Sequence, residues 1–303
     1  MKKLYILSLL IFFTTGSFAC EICGCGVGNF YMGLLPNFKT RFIGIRYSYL
    51  HYATQLNNDP SQFSNDFYRT AEIWGGWNIG NRWQLMGFIP YRFSKKNSDD
   101  GTKNIDGLGD ITILANYSLL HSRKTTAANK TIEQQLWIGG GIKVATGAYH
   151  VDLTAPDANI GDANSQLGTG STDFLINAMY NISINKFGIN TTISYKVNTG
   201  NQDRYQFGNR VTVNSLGYYR IRFKGMAVSP NLGLLYEHAG INHYAKDVVD
   251  QTGGYLLNAS GGVEVNFNKI TVGVNTQIPV TQNFAEGQTA SKLRGNMHIS
   301  FAL

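Results

Sequence analysis

Residues 82–94, RWQLMGFIPYRFS, alternate between two kinds of side chain. Every second residue from Trp83 to Phe93 is apolar or glycine, and the residues between them are mixed or polar. Successive side chains of a β-strand point to opposite faces of its sheet, so this period of two predicts a strand with one apolar face that ends in aromatic residues. The same pattern recurs at 187–198 and 270–280.

Applied to the whole chain, the alternation predicts about twelve strands. They lie near residues 40–52, 67–79, 82–95, 107–120, 135–147, 171–184, 187–199, 207–222, 226–240, 254–267, 270–281 and 291–303. Tight connections at 80–81, 185–186, 223–225 and 268–269 alternate with long polar ones at 53–66, 96–106, 148–170, 241–253 and 282–290. The polar stretch 121–134 falls on the short side and is too long for the pattern.

Only 15% of the 303 residues are charged, well below the roughly 25% of an ordinary soluble domain. Long apolar-faced strands joined by alternating short and long connections are typical of an antiparallel transmembrane β-barrel with short periplasmic turns and long extracellular loops. A soluble β-sandwich or lipocalin-like barrel is the alternative, but it would need a charged exterior. The net charge of +7 comes from scattered lysines and arginines, which argues against a nucleic-acid-binding protein.

The amino terminus has the form of a secretory signal peptide. Lys2 and Lys3 precede an apolar stretch, and small residues end it before Cys20. We therefore expect a signal peptide over 1–19, a Cys-rich segment over 20–39 that forms a metal site or a small plug, and a barrel over 40–303, in the outer membrane of a Gram-negative bacterium. The chain ends within a predicted strand of uniform apolar parity, which suits recognition by the outer-membrane assembly machinery.

If the apolar faces contact lipid, the other faces line the lumen. Seven cationic and five anionic residues have that parity: Arg46, Glu72, Arg92, Asp110, Lys143, Asp173, Lys196, Arg210, Arg220, Glu237, Glu264 and Arg294. They predict either cross-strand ion pairs that hold the wall together or a weakly anion-favouring constriction or substrate groove.

Four short stretches, 106–111, 115–117, 139–147 and 167–173, resemble the outer-membrane β-barrel family associated with the meta-cleavage pathway of phenol degradation (MetA-pathway proteins), and all but 115–117 are rich in glycine. The resemblance covers most of residues 65–303 and implies a barrel that takes up hydrophobic or aromatic small molecules. It transfers no binding residues. A Cys-rich start followed by a barrel also resembles Bacteroidetes-type barrels described as transporters.

All three cysteines lie in the heptapeptide CEICGCG, as Cys20, Cys23 and Cys25. Their spacing lets three thiolates converge on one soft ion, copper(I) or zinc. Two alternatives stay open: a disulfide from Cys20 to Cys23 or Cys25, and lipidation of Cys20.

The histidines are dispersed. His238 and His243 near Glu237, and His150 near Asp152, predict either a weak surface metal site or solvated loop residues.

The sequence favours a passive outer-membrane channel or transporter for small solutes, which are hydrophobic, aromatic or metal-related. The alternative function is a barrel-anchored protein that binds copper or zinc and has a closed lumen. An outer-membrane phospholipase would need a serine and a histidine on the lipid-facing side. His51 has the required parity, but no serine is predicted beside it, so we expect no enzyme.

Overall fold

A computed structural model describes residues 41–57, 61–99, 101–150 and 165–303. The predicted signal peptide, Cys20, Cys23, Cys25 and Asp152 lie outside these residues. Within the described residues, seventeen strands follow one another. They are β1 Phe42–Gln55, β2 Phe63–Ile79, β3 Trp83–Ser98, β4 Gly101–Leu108, β5 Ile111–Thr125, β6 Thr131–Val144, β7 Asp173–Ile184, β8 Phe187–Val197, β9 Tyr205–Gln206, β10 Arg210–Tyr219, β11 Ile221–Phe223, β12 Met226–Ala239, β13 Asn242–Tyr244, β14 Asp247–Val249, β15 Gly254–Phe267, β16 Ile270–Phe284 and β17 Thr289–Ala302.

The main sheet closes on itself as a twelve-stranded antiparallel barrel. The first strand, β1, pairs with the last, β17, and this pairing closes the barrel. β4 and β5 together complete one barrel strand beside β3, and β10 and β11 together complete another beside β12. Closure satisfies the backbone hydrogen bonds that an open sheet would leave at its edges. The predicted fold class is confirmed.

The outward faces carry the apolar residues of each alternating pattern. These include exposed Ile45, Leu85, Ile113, Ile189, Val272 and Val274. Exposed aromatic residues ring the rim of short turns: Trp77, Trp83, Phe187, Tyr219, Phe223, Phe267 and Phe301. Tyrosines stand outward toward the other rim: Tyr91, Tyr195, Tyr236 and Tyr255. An apolar band between two aromatic girdles is the surface that transmembrane barrels present to lipid. Among the described residues, no helix is long and apolar enough to cross a membrane.

The polar stretch 121–134 is a strand extension and not a long turn. β5 runs on to Thr125 and β6 begins at Thr131, so the turn itself spans only 126–130. A register shift between Ser118 and Leu120 breaks the period of two. Because the alternation is interrupted there and the extension is exposed and polar, the sequence pattern could not show it as strand.

Several predicted loops are shorter than expected, because the strands on either side continue beyond their predicted ends. β1 reaches Gln55 and β2 begins at Phe63, so the first long connection spans 56–62 instead of 53–66. The predicted loop 96–106 is wrong, since β3 and β4 form a hairpin that pairs Ser98 with Gly101. The predicted strand 207–222 is divided by Arg220 into β10 and β11.

Two connections at the long-loop rim fold together as a small sheet. β9 pairs with β13, which pairs with β14. Tyr205 and Phe207 are buried against Tyr244, and the Asn242 side-chain amide donates to the Tyr205 hydroxyl at 2.9 Å. The sequence predicted polar loop at 241–253 and no separate loop at 200–206, because the short strands carry too few residues to show a period.

Candidate functional site in the barrel interior

A buried cation holds two carboxylates at the long-loop rim. Nζ of Lys143 lies 2.6 Å from Oδ2 of Asp110 and 2.8 Å from Oδ2 of Asp173. It also donates to the Ser171 carbonyl at 3.1 Å and to the Thr169 hydroxyl. These five residues form what we call the Lys143 cluster. Because the group is buried, removing one partner alone would leave an uncompensated charge and would be costly.

The Lys143 cluster fastens the chain that leads into β7. Asp110 accepts hydrogen bonds from the backbone N–H of Gly147 at 3.0 Å and of Thr169 at 2.9 Å. Asp173 accepts from the Ser171 hydroxyl at 2.8 Å. Asp110, Lys143 and Asp173 come from three of the four stretches that carry the family resemblance. Those stretches therefore meet at one place in the fold.

A second ionic group reaches across the barrel from β17 to β12. Arg294 is fully buried and pairs with Glu237, donates to the Tyr52 hydroxyl and donates through Nε to the Ser291 hydroxyl at 3.1 Å. Nη1 of Arg210 lies 3.5 Å from Oε1 of the same Glu237. Tyr52, Arg210, Glu237 and Arg294 are here called the Arg294 cluster. β15 and β16 separate β12 from β17 in the wall, so the pair between Glu237 and Arg294 spans the interior.

Apolar side chains also face the interior, as a continuous group. We call it the Trp74 cluster: Phe42, Trp74, Met86, Phe88, Leu114, Trp137, Leu175 and Met179. The ring of Trp74 packs edge-on against Phe42, with centroids 4.7 Å apart, and stacks on Phe88 at 6.4 Å. The sequence predicted this face as mixed or polar, and it did not anticipate an apolar group of this extent.

Charged groups border the Trp74 cluster. Arg46 pairs with Glu72, and its guanidinium lies over the rings of Trp74 and Phe88, 5.5 and 5.6 Å from their centroids. A cation over an aromatic face is attracted by the ring quadrupole. Nε2 of His298 lies 3.9 Å from Oε2 of Glu264. The interior therefore places cations, carboxylates and aromatic rings side by side.

Of the remaining predicted lumen residues, Arg92 and Arg220 lie apart from these groups, whereas Lys196 adjoins the Arg294 cluster. Arg92 is half-buried on β3 and packs near Gly109. Lys196 is buried on β8, directly opposite Arg210 in register. Arg220 is half-buried at the short-turn rim, with its guanidinium 5.5 Å from the centroid of the Tyr218 ring.

Sequence reasoning missed several interior residues that contact the predicted ones. They are Tyr52, Thr169, Ser171, Ser291, His298 and the aromatic members of the Trp74 cluster. Tyr52, Ser291, Trp74 and Phe88 are buried on the inward face of their strands. The alternation along each strand predicts which side chains face inward, but only the charged ones were taken as candidate lumen residues.

The predicted site of His238 and His243 with Glu237 is not assembled, whereas the site of His150 with Asp152 stays a prediction because Asp152 lies outside the described residues. His238 is exposed, whereas the adjacent Glu237 is buried and points inward. Neighbouring strand residues face opposite sides, so the two cannot share an ion. Among the described residues, no group of three or more histidine, cysteine, aspartate or glutamate side chains is placed to hold a metal. The His51 ring stacks on Phe67, with centroids 4.4 Å apart.

No protein-family model matches the chain, and no curated protein matches it. Among solved structures, an outer membrane channel from Pseudomonas putida F1 superposes with a TM-score of 0.62 at 17% identity, over 87% of this chain and 96% of that chain. The likeness is one of fold. The beta domain of the Bordetella autotransporter BrkA superposes with a TM-score of 0.50 at 10% identity, over 87% of this chain and 100% of that chain. The transport unit of the autotransporter AIDA-I from Escherichia coli superposes with a TM-score of 0.50 at 10% identity, over 90% of this chain and 94% of that chain.

Proposed function

We propose that the protein is an outer-membrane channel of a Gram-negative bacterium through which small solutes pass passively. Its signal peptide over 1–19 directs export, and the outer-membrane assembly machinery inserts the barrel. The observation that carries the proposal is the pairing of an apolar, lipid-matched outer wall with an inner wall that bears both ionic and aromatic groups. A wall of this kind separates lipid from a path that polar solutes can follow.

The Trp74 cluster supports hydrophobic or aromatic solutes as the preferred class. Trp74, Phe42 and Phe88 pack against one another on the inward side of three neighbouring strands, as a buried aromatic group within the interior. Aromatic pairs contribute about 0.5–1.5 kcal/mol beyond their area, enough to retain a ring-bearing solute without trapping it. The charges of Arg46 and Glu72 border that group. They favour solutes that carry a polar group as well as a ring.

Planar-bilayer recording of the refolded mature protein tests the channel. We expect discrete, voltage-stable conductance steps, and phenol added to the bath should reduce the current in a saturable way. Trp74→Ala should weaken that block roughly threefold to tenfold, which corresponds to about 0.5–1.5 kcal/mol. Trp83→Ala removes an indole of equal size from the outer face and should leave the block unchanged.

A folded, heat-resistant barrel that gives no conductance steps would refute the channel. Equal loss of phenol block in the Trp74 and Trp83 variants would refute the assignment of aromatic solutes to the interior while leaving the channel intact.

A further inference from the structure

Two guanidinium groups share one carboxylate in the Arg294 cluster, and they share it unequally. Each of the three side-chain nitrogens of Arg294 has an acceptor: Glu237, Tyr52 or Ser291. Glu237 gives Oε2 to Arg294, and its Oε1 accepts no hydrogen bond from the described residues. Every side-chain nitrogen of Arg294 therefore has a partner among the described residues.

Arg210 is buried without comparable partners. Its side chain is 9% exposed, and Nη1 lies 3.5 Å from Oε1 of Glu237. Within the described ranges, no side chain makes a closer polar contact with it. A guanidinium carries five N–H donors in a planar fork, and no nitrogen of Arg210 is among the fully buried side-chain atoms that lack a hydrogen-bond partner. The Arg210 donors therefore face open space in the interior. The same fork matches the two oxygens of a carboxylate.

Positive charge accumulates at this point of the wall. Arg210 and Arg294 bring two charges to the one charge of Glu237. Together they exceed the charge of Glu237 by one, and an anion bound beside Arg210 would balance that excess.

Buried apolar side chains adjoin the charges. Tyr52 binds Arg294 through its hydroxyl, and its ring packs edge-on toward Tyr68 and Phe284, with centroids 6.1 and 6.4 Å away. Leu256 is buried in the same apolar group and stands opposite Glu237 in register. Guanidinium donors therefore lie next to aromatic and aliphatic side chains.

We infer that the Arg294 cluster is a binding site for small organic monocarboxylates, with the carboxylate on Arg210 and the apolar body against Tyr52 and its neighbours. The proposed function is needed only to bring the solute to the site through the lumen. Glu237 acts as an internal competitor, because its carboxylate already occupies Arg294 and lies next to Arg210. The site therefore binds carboxylates weakly enough to release them, as passage through a channel requires.

Calorimetric titration of the refolded, detergent-solubilised protein with benzoate tests the inference. We expect saturable binding by the wild type and at least tenfold weaker binding of benzyl alcohol, which has a similar shape and no charge. Arg210→Gln should weaken benzoate binding at least tenfold. Arg222→Gln makes the same chemical change at an exposed residue of β11 and should leave the affinity unchanged. Glu237→Gln should strengthen benzoate binding severalfold, because it removes the competing carboxylate.

Heat-modifiable migration in gels shows whether each variant folds. If Arg210→Gln does not, Arg210→Lys keeps the charge, loses the fork and should still weaken binding measurably. Wild-type protein that binds no benzoate, or variants at Arg210 that bind it as the wild type does, would overturn the inference. These results are independent of the channel proposal. A barrel that binds benzoate but gives no conductance steps keeps the site and loses the channel, whereas a conducting barrel that ignores benzoate does the reverse.

Discussion

Lys143 and Asp110, 33 positions apart in the chain, form a buried ion pair with 2.6 Å between Nζ and Oδ2. The pair joins the end of β6 to the junction of β4 and β5. Asp173, at the start of β7, also pairs with Lys143, with 2.8 Å between Nζ and Oδ2 of Asp173. One ammonium group thus connects three consecutive barrel strands at the rim where their longest connection, 145–172, begins and ends.

Lys143→Met should destabilise the barrel strongly, because it leaves two buried carboxylates without their cation. Removing one partner of a buried ionic group costs about 3–5 kcal/mol of unfolding free energy. Urea unfolding of the protein in lipid vesicles measures this. Lys124→Met, at an exposed position on the β5 extension, is the control and should change the unfolding free energy little. Equal effects in the two variants would contradict a structural role for the cluster.

Gly141→Ala should destabilise the barrel because β5 and β6 pack too closely there for a methyl group. A Cβ at Gly141 would stand 2.6 Å from Cδ2 of Leu114 and 2.9 Å from its Cα. Overpacking of this kind typically costs about 1–3 kcal/mol. Gly87→Ala is the matched control on β3, since a Cβ there would meet nothing within 4 Å. Chemical unfolding should show a loss for the first variant and none for the second.

The alternation of residues 82–94 was sufficient to predict the fold. Trp83, Leu85 and Ile89 are exposed on the outer face, as predicted, while Met86 and Phe88 are buried inside. The pattern works because each wall residue has only two directions to face, lipid or interior. It failed at 121–134, where both strands leave the apolar band and a register shift removes the period.

The alternation along each strand predicts which charged side chains face the interior, but not which of them form ion pairs with one another. Arg46 and Glu72 are register partners on adjacent strands, so a cross-strand pairing rule finds them. Arg294 and Glu237 lie on strands separated by two others and meet because long side chains reach across a narrow interior. That contact depends on the closure and diameter of the barrel, which no local pattern encodes.

Arg92→Glu should shift ion selectivity toward cations if the interior conducts. Arg92 is half-buried on the inward face of β3, and replacing its charge changes the local charge by two. The reversal potential under a salt gradient measures the ratio of chloride to potassium permeability. Arg69→Glu reverses a charge at nearly the same height on β2, where the side chain is exposed outside. Only the Arg92 variant should move the reversal potential, and an unchanged value would remove Arg92 from the ion path.

The cysteine cluster gives a prediction that is independent of the barrel interior. Cys20, Cys23 and Cys25 are the chain's only cysteines, and thiolates at this spacing suit one copper(I) or zinc ion. Replacing all three by serine should abolish stoichiometric metal binding while the barrel keeps its heat-modifiable migration. Metal analysis after equilibration with each ion under reducing conditions measures the stoichiometry. Metal content equal to that of the wild type would refute the metal site. Mass spectrometry of the mature wild-type chain then distinguishes the alternatives, because a disulfide lowers the mass by two hydrogens and a lipid on Cys20 raises it by that of its acyl groups.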